Sequence, residues 1–275
     1  MPLPAPSPTS TAVITGASSG IGADIARELV SRGHGVTLVA RREDKLHALA
    51  DELGRTVRAE VIACDVADPD ARGALLDAVA DRGLTVDILV NNAGIGTIGS
   101  ITKTPVADEI AQVRVNVEAV IDLTTRAVQQ MVPRGRGAIL NVGSTAGYHP
   151  FPGQAGYAAT KAFVRTYTDA VRGELAGTGV TVAMLAPGPV RTEFLRSAGM
   201  DEDKFAAAFP KFLWMPSRDV ARIGVDALDK DRGTVIAGLR NVMSTRFMQA
   251  LPLPVLLKML DKQHPGLRRD RRSVG

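Results

Sequence analysis

The sequence is poor in the residues that cross-link, chelate or span. Its single cysteine, Cys64, excludes an internal disulfide framework and a cysteine zinc site, and suits a reducing compartment. A lone thiol at the end of an apolar run reads as a small buried residue, and no metal site is assigned. No uninterrupted apolar run approaches the roughly 18 residues of a membrane-spanning helix. Residues 1–10, MPLPAPSPTS, have neither the basic start nor the apolar core of a signal peptide, and their prolines deny them a helix. They are expected to form a disordered leader on a soluble, cytoplasmic chain.

Charge of one sign is also missing from most of the chain. The net charge is +4, yet Leu239–Gly275 alone carries eight Lys/Arg against Asp261 and Asp270, so the first 238 residues are slightly acidic. The basicity belongs to the tail, and no nucleic-acid-reading motif accompanies it, so a nucleic-acid partner is not expected. Aromatic residues make up only 4% of the chain, which gives weight to any place where they gather. Four of the seven phenylalanines (194, 205, 209, 212) and the one tryptophan, Trp214, fall between Thr192 and Pro216.

What is present is an alternation of short apolar runs and helical patterns, which at 275 residues favours one large α/β domain. Thr11–Ile14 is a strand that runs into Gly16, Gly20 and Gly22 and then into a helix from Ala23. Such a turn lets a backbone approach a pyrophosphate closely, and the helix that it opens points free N–H groups at the anion. The spacing Gly-x-x-x-Gly-x-Gly matches the usual dinucleotide fingerprint in mechanism rather than in letter. Further strands are expected at 36–40, 57–63, 86–90, 137–143, 180–186 and 233–237. After the second strand, where an NAD-binding chain carries a carboxylate, stand Arg41 and Arg42, which suit a ribose 2′-phosphate, Arg41 being the stronger candidate.

A second stretch carries the chemistry. Ser144 ends the fifth strand, a Gly/Pro-rich loop follows, and Tyr157 and Lys161 stand at i and i+4 on one helix face. An ammonium close to a phenol favours the phenolate and lowers its pKa from roughly 10, and a serine hydroxyl could hold the same substrate oxygen.

With both stretches in view the chain resembles the short-chain dehydrogenase/reductase family, from about Thr11 to about Gly238. The matching pieces are Thr15-Gly-Ala-Ser-Ser-Gly-Ile-Gly22, Asn91-Asn-Ala-Gly94, Asn116, Ser144, Tyr157-x-x-x-Lys161, and Pro187-Gly188 followed by Thr192. The resemblance implies a Rossmann-type, three-layer α/β/α fold with a doubly wound parallel sheet of seven strands, and NADP(H) as cofactor. It implies Asn116, Ser144, Tyr157 and Lys161 as the catalytic set, with Asn116 kinking its helix and relaying protons. Cofactor contacts are expected from Gly16, Ser18, Ser19, Gly20, Ile21 and Gly22 of the turn, and from Arg41, Arg42, Asp65 and Val66. Asn91, Ala93 and Gly94 are expected to add to these, with Tyr157, Lys161, Pro187, Gly188, Val190 and Thr192.

The expected activity is carbonyl/alcohol interconversion on a lipophilic substrate, under a lid at about 192–216. A fatty-acid-type 3-oxoacyl thioester reductase is the alternative, and a non-catalytic NADPH-binding sensor or scaffold the alternative of another class. The family's habit implies a dimer or tetramer. The extension 239–275 is expected, in order of preference, to seal a subunit interface, to cover the pocket, or to rest weakly on an anionic membrane surface.

Overall fold

The computed structural model describes residues 3–194 and 209–263. Seven parallel strands form one sheet in the order β3-β2-β1-β4-β5-β6-β7. They are β1 (Ser10–Thr15), β2 (Val36–Ala40), β3 (Ala59–Ala63), β4 (Thr85–Asn91), β5 (Gly137–Val142), β6 (Val180–Ala186) and β7 (Thr234–Ile236). Their near-continuous apolar composition is what a parallel sheet covered on both faces requires. On one face α1 (Gly20–Ser31), α2 (Glu43–Leu53) and α8 (Ser217–Asp229) bury Ile25, Leu29, Leu46, Val220 and Val225 against the strands. On the other lie α3 (Pro69–Gly73), α4 (Leu75–Ala80), α5 (Val106–Val113), α6 (Ala119–Met131) and α7 (Ala155–Glu174), with Leu75, Val79, Leu123 and Met131 in the core. The doubly wound expectation holds. The order reverses between β1 and β4, so their carboxyl ends flank the crevice where such sheets bind ligands.

One expectation needs correction. Residues 3–10 are not a loose leader: the Leu3 N–H donates to Asp229 (3.0 Å), the Ala5 carbonyl accepts from Arg136 (2.5 Å), and Ser10 already belongs to β1. The prolines that forbid a helix leave an extended segment free to lie on the body.

The kink that the resemblance implies at Asn116 takes the form of a π turn, Arg114–Glu118, which divides α5 from α6, and along these helices Val106, Ile110, Val113 and Ile121 are exposed.

The C-terminal extension begins as α9 (Leu239–Ala250) and α10 (Leu253–Gln263), and it lies over the pocket. Asn241, buried, donates to the carbonyls of Leu213 (3.1 Å) and Ala237 (2.9 Å), which docks α9 against the loop after β6. The basic end, 264–275, lies outside the described residues, as do Leu195, Met200 and Phe205 of the expected lid.

Candidate active site

The glycine turn is held by its neighbours before any ligand is considered. Gly16 and Gly20 have φ of +67° and +58°, a backbone that glycine adopts without strain. A Cβ on Gly20 would fall 3.0 Å from the Thr192 side chain, so the turn and the loop after β6 face each other across a narrow gap. The Thr15 hydroxyl accepts from the N–H groups of Asn92 and Ala93 (both 3.0 Å), and Asn92 Nδ2 donates to the Thr15 carbonyl (2.9 Å). These bonds tie β1 to β4 at the switch point. Gly22 packs against Asn92 and the Gly16 carbonyl and does not line the crevice.

Neither Thr15 nor Asn92 was singled out in the sequence, where Asn91 took the weight. Asn91 is buried and spends its amide on Thr124 (3.0 Å) and Asn141 (2.9 Å), while Asn141 donates to Thr168 (3.0 Å). It joins a polar ladder inside the protein, and the crevice wall is Asn92, Ala93 and Gly94. Asn91 is the last residue of β4, and Asn92 follows it, where the chain turns with its N–H on the Val90 carbonyl (3.1 Å).

The crevice is a cleft of about 1490 Å³. Along it lie Gly16, Ser18, Ser19, Gly20 and Ile21 from the turn, then Arg41, Arg42, Asp65 and Val66 after β2 and β3. Pro187, Gly188, Val190 and Thr192 form the opposite lip. Arg42, rather than Arg41, is the anchored arginine: it donates to Ser18 (2.8 Å), Ser19 (2.9 Å) and Glu193 (2.6 Å). Among the described residues Arg41 pairs with Asp65, at 3.8 Å. Asp65 accepts from the Ala67 N–H, and Asp68 caps α3.

At the far end stand Ser144, Tyr157 and Lys161. The Thr145–Tyr148 turn after Ser144 presses onto α7: a Cβ on Gly147 would lie 2.5 Å from the Lys161 carbonyl carbon. Gly147→Ala is therefore expected to cost about 1–3 kcal/mol of stability by overpacking. Equal urea midpoints for variant and wild type would refute that.

Lys161 is 5% exposed and donates to the Val142 carbonyl (2.9 Å), with Nζ 5.8 Å from the Tyr157 ring centre. Burial lowers its pKa to about 8. The acidified phenol expected from the sequence is not found. Burial pushes the Tyr157 pKa up, and a hydrogen bond with Ser144 opposes the rise. The i, i+4 spacing sets the two side chains on one face, but the ammonium is turned toward the end of β5.

Asn116 is fully buried in the π turn. Its Oδ1 accepts from the Ile95 N–H (3.0 Å), and its Nδ2 donates to the Ile95 carbonyl (2.8 Å) and to Thr160 (3.0 Å). The side chain thus clamps the loop after β4 to α7 and does not line the cleft. Thr160, which sequence reading passed over, completes the clamp by donating to the Tyr157 carbonyl (2.8 Å).

The profile of the short-chain dehydrogenases matches residues 10–203. The chain belongs to the short-chain dehydrogenase family. An NADP-dependent 3-hydroxy acid dehydrogenase, YdfG, of Salmonella typhi is 39% identical over 194 residues, 69% of this chain and 77% of that one. Among solved structures, a 7β-hydroxysteroid dehydrogenase superposes with a TM-score of 0.80 at 27% identity, over 91% of this chain and 96% of that one. A short-chain dehydrogenase from Sphingobium yanoikuyae in complex with NADPH gives 0.76 at 29%, over 88% and 96%.

This short-chain dehydrogenase is an oxidoreductase whose cofactor is NADP(H). The donor set fits that cofactor: a glycine cradle that a Cβ would fill, and at its adenosine end Arg41, Arg42, Lys45 and two serine hydroxyls, with no carboxylate in the β2 position that reads a free 2′-hydroxyl. Among the described residues no helix is long and apolar enough to cross a membrane.

Proposed function

We propose that this enzyme interconverts a lipophilic ketone and its secondary alcohol, the substrate lying between Tyr157 and the C-terminal helices. One observation carries the reading. The cleft beyond Tyr157 is walled by Phe151, Phe209, Phe212, Phe247, Met248 and Met259, three of them supplied by the chain after Gly238. Each Å² of apolar substrate surface removed from water there is worth about 25 cal/mol, so a bulky hydrocarbon frame gains far more from this wall than a small polar one. The likeness to a protein named for hydroxysteroids supports the same class.

NADP(H), when bound, supplies or accepts the hydride. In reduction, Tyr157 gives its phenol proton to the oxygen of the forming alcohol, and the Ser144 hydroxyl hydrogen-bonds that oxygen and holds it in line. Burial keeps the phenol protonated, the form that an acid needs. Lys161 would supply a cation to hold the bound cofactor, and Asn116 is a positioning residue that keeps α7 and the loop after β4 in register. Residues 11–238 form the catalytic unit and the extension completes its substrate site. The exposed stripe of Val106, Ile110, Val113 and Ile121 suits burial against a second copy.

A second reading, a smaller carboxylate-bearing carbonyl, draws on Arg240, which lines the same wall 5.9 Å from the Phe212 ring centre, and on the relative named for 3-hydroxy acids. NADPH oxidation with a panel of bulky ketones, short 3-oxo acids and 3-oxoacyl thioesters separates these. The expected outcome is a kcat/KM at least about tenfold higher for the bulky ketones, the scale of one or two extra buried methylenes. Preference for the acids or thioesters would replace the proposal.

A further inference from the structure

Glu193 has no assigned part in cofactor binding, yet it stands on the cations expected to receive the cofactor's 2′-phosphate. Its two carboxylate oxygens accept separately from Arg42 Nη1 and Lys45 Nζ, each at 2.6 Å. Those two bonds, Lys45 foremost, hold the carboxyl well below the usual carboxylate range. Arg42 is fixed independently by Ser18 and Ser19, so it keeps its place whichever anion it faces. One carboxylate thereby joins the glycine turn, the start of α2 and the loop after β6.

The chain position of Glu193 gives this contact reach. It follows Thr192, opposite Gly20, and precedes Phe194, whose ring centre is 5.6 Å from that of Tyr157. Two residues before it, the Arg191 guanidinium lies 5.6 Å over the ring of Trp214, the only tryptophan. The adenosine end of the cleft is thus mechanically connected to the reacting end through four residues.

We propose that Glu193 restrains the enzyme's preference for a 2′-phosphorylated cofactor as an internal competitor of the 2′-phosphate: its carboxylate and that phosphate contend for Arg42 and Lys45, and a 2′-phosphorylated nucleotide frees the Arg191–Phe194 segment. A phosphate with nearly two charges and three acceptor oxygens outcompetes a singly charged carboxylate for a forked guanidinium and an ammonium. All three side chains are roughly two-fifths exposed, so the pairs are individually weak and exchange readily. A nucleotide with a free 2′-hydroxyl brings no anion to trade and leaves Glu193 in place. The proposal concerns nucleotide binding and is independent of which carbonyl substrate the enzyme uses.

The test uses the full chain and two ligands that carry no nicotinamide, adenosine 2′,5′-bisphosphate and ADP, with Glu193→Gln as the variant. Calorimetric titration should show the bisphosphate binding the variant about tenfold more tightly than wild type, the scale of two exposed ion pairs no longer broken, with ADP unchanged. Trp214 emission should change when wild type binds the bisphosphate, should not change with ADP, and should not respond in the variant. Equal tightening for both nucleotides, no tightening, or a Trp214 response that survives in Glu193→Gln would each overturn the proposal.

Discussion

Tyr157→Phe is expected to lower kcat for ketone reduction by about 10²–10⁴, the usual contribution of a positioned general acid, while NADPH binds with its wild-type affinity. The substitution removes one oxygen and keeps the ring that packs against Phe194 and lies beneath Lys161, so the fold and the cofactor cleft survive. Stopped-flow NADPH oxidation gives the rate and calorimetry gives the affinity. A variant that keeps more than about a tenth of wild-type kcat would remove Tyr157 from the proposed mechanism, since that loss falls below the range of general-acid catalysis. A fall in kcat accompanied by an equal loss of NADPH affinity would instead make the phenol a cofactor ligand.

Lys161→Met is expected to lower kcat by roughly 10²–10³, as loss of a preorganised donor in a closed site does, without lowering the stability of the free protein at pH 7. The second half of that expectation follows from the direction of the pKa shift. Burial lowers the Lys161 pKa from 10.5 to about 8, so the folded state binds this proton less tightly than the unfolded chain. Below pH 8 both states carry it, and the folded state bears the full desolvation cost, on the order of 3 kcal/mol. Between pH 8 and 10.5 the folded protein gives up the proton first, so this cost fades and the wild type gains stability as pH rises.

A methionine avoids the burial of charge but leaves the Val142 carbonyl without its donor, a loss of about 1–3 kcal/mol that offsets much of the gain. Urea midpoints should therefore be equal or higher for the variant at pH 7, and the comparison should turn toward wild type by pH 10. A variant markedly less stable at pH 7 would mean that the ammonium supports the fold. The same titration predicts that wild-type kcat/KM for reduction declines above about pH 8.

Both expectations differ from what the residues alone suggest, and the difference is instructive. The i, i+4 spacing of Tyr157 and Lys161 correctly sets them on one face of α7, because helical periodicity is a local property. It says nothing about where a four-carbon side chain ends. In the folded protein the Val142 carbonyl, at the end of β5, takes the ammonium, and desolvation rather than charge governs the phenol. Asn116 shows the same limit: its polar character within an apolar helix marked it, but only the packed structure reveals that Ile95 and Thr160 occupy its amide.

The chain's own order of residues determined the strand and helix alternation, the glycine turn, the dinucleotide class and the arginines after β2, since each of these is written in periodicity or in a run of a few neighbours. Tertiary structure decided what depends on distant segments meeting. It turned Asn91 inward and Asn92 toward the cleft, brought Glu193 onto Arg42 and Lys45, and folded α9 and α10 over the pocket so that Met259 lines the same cleft as Phe151. Contacts between segments far apart in the chain, such as Asn91 with Asn141 or Glu193 with Arg42, leave no periodic trace in a single sequence, because any compatible pair of side chains could have made them.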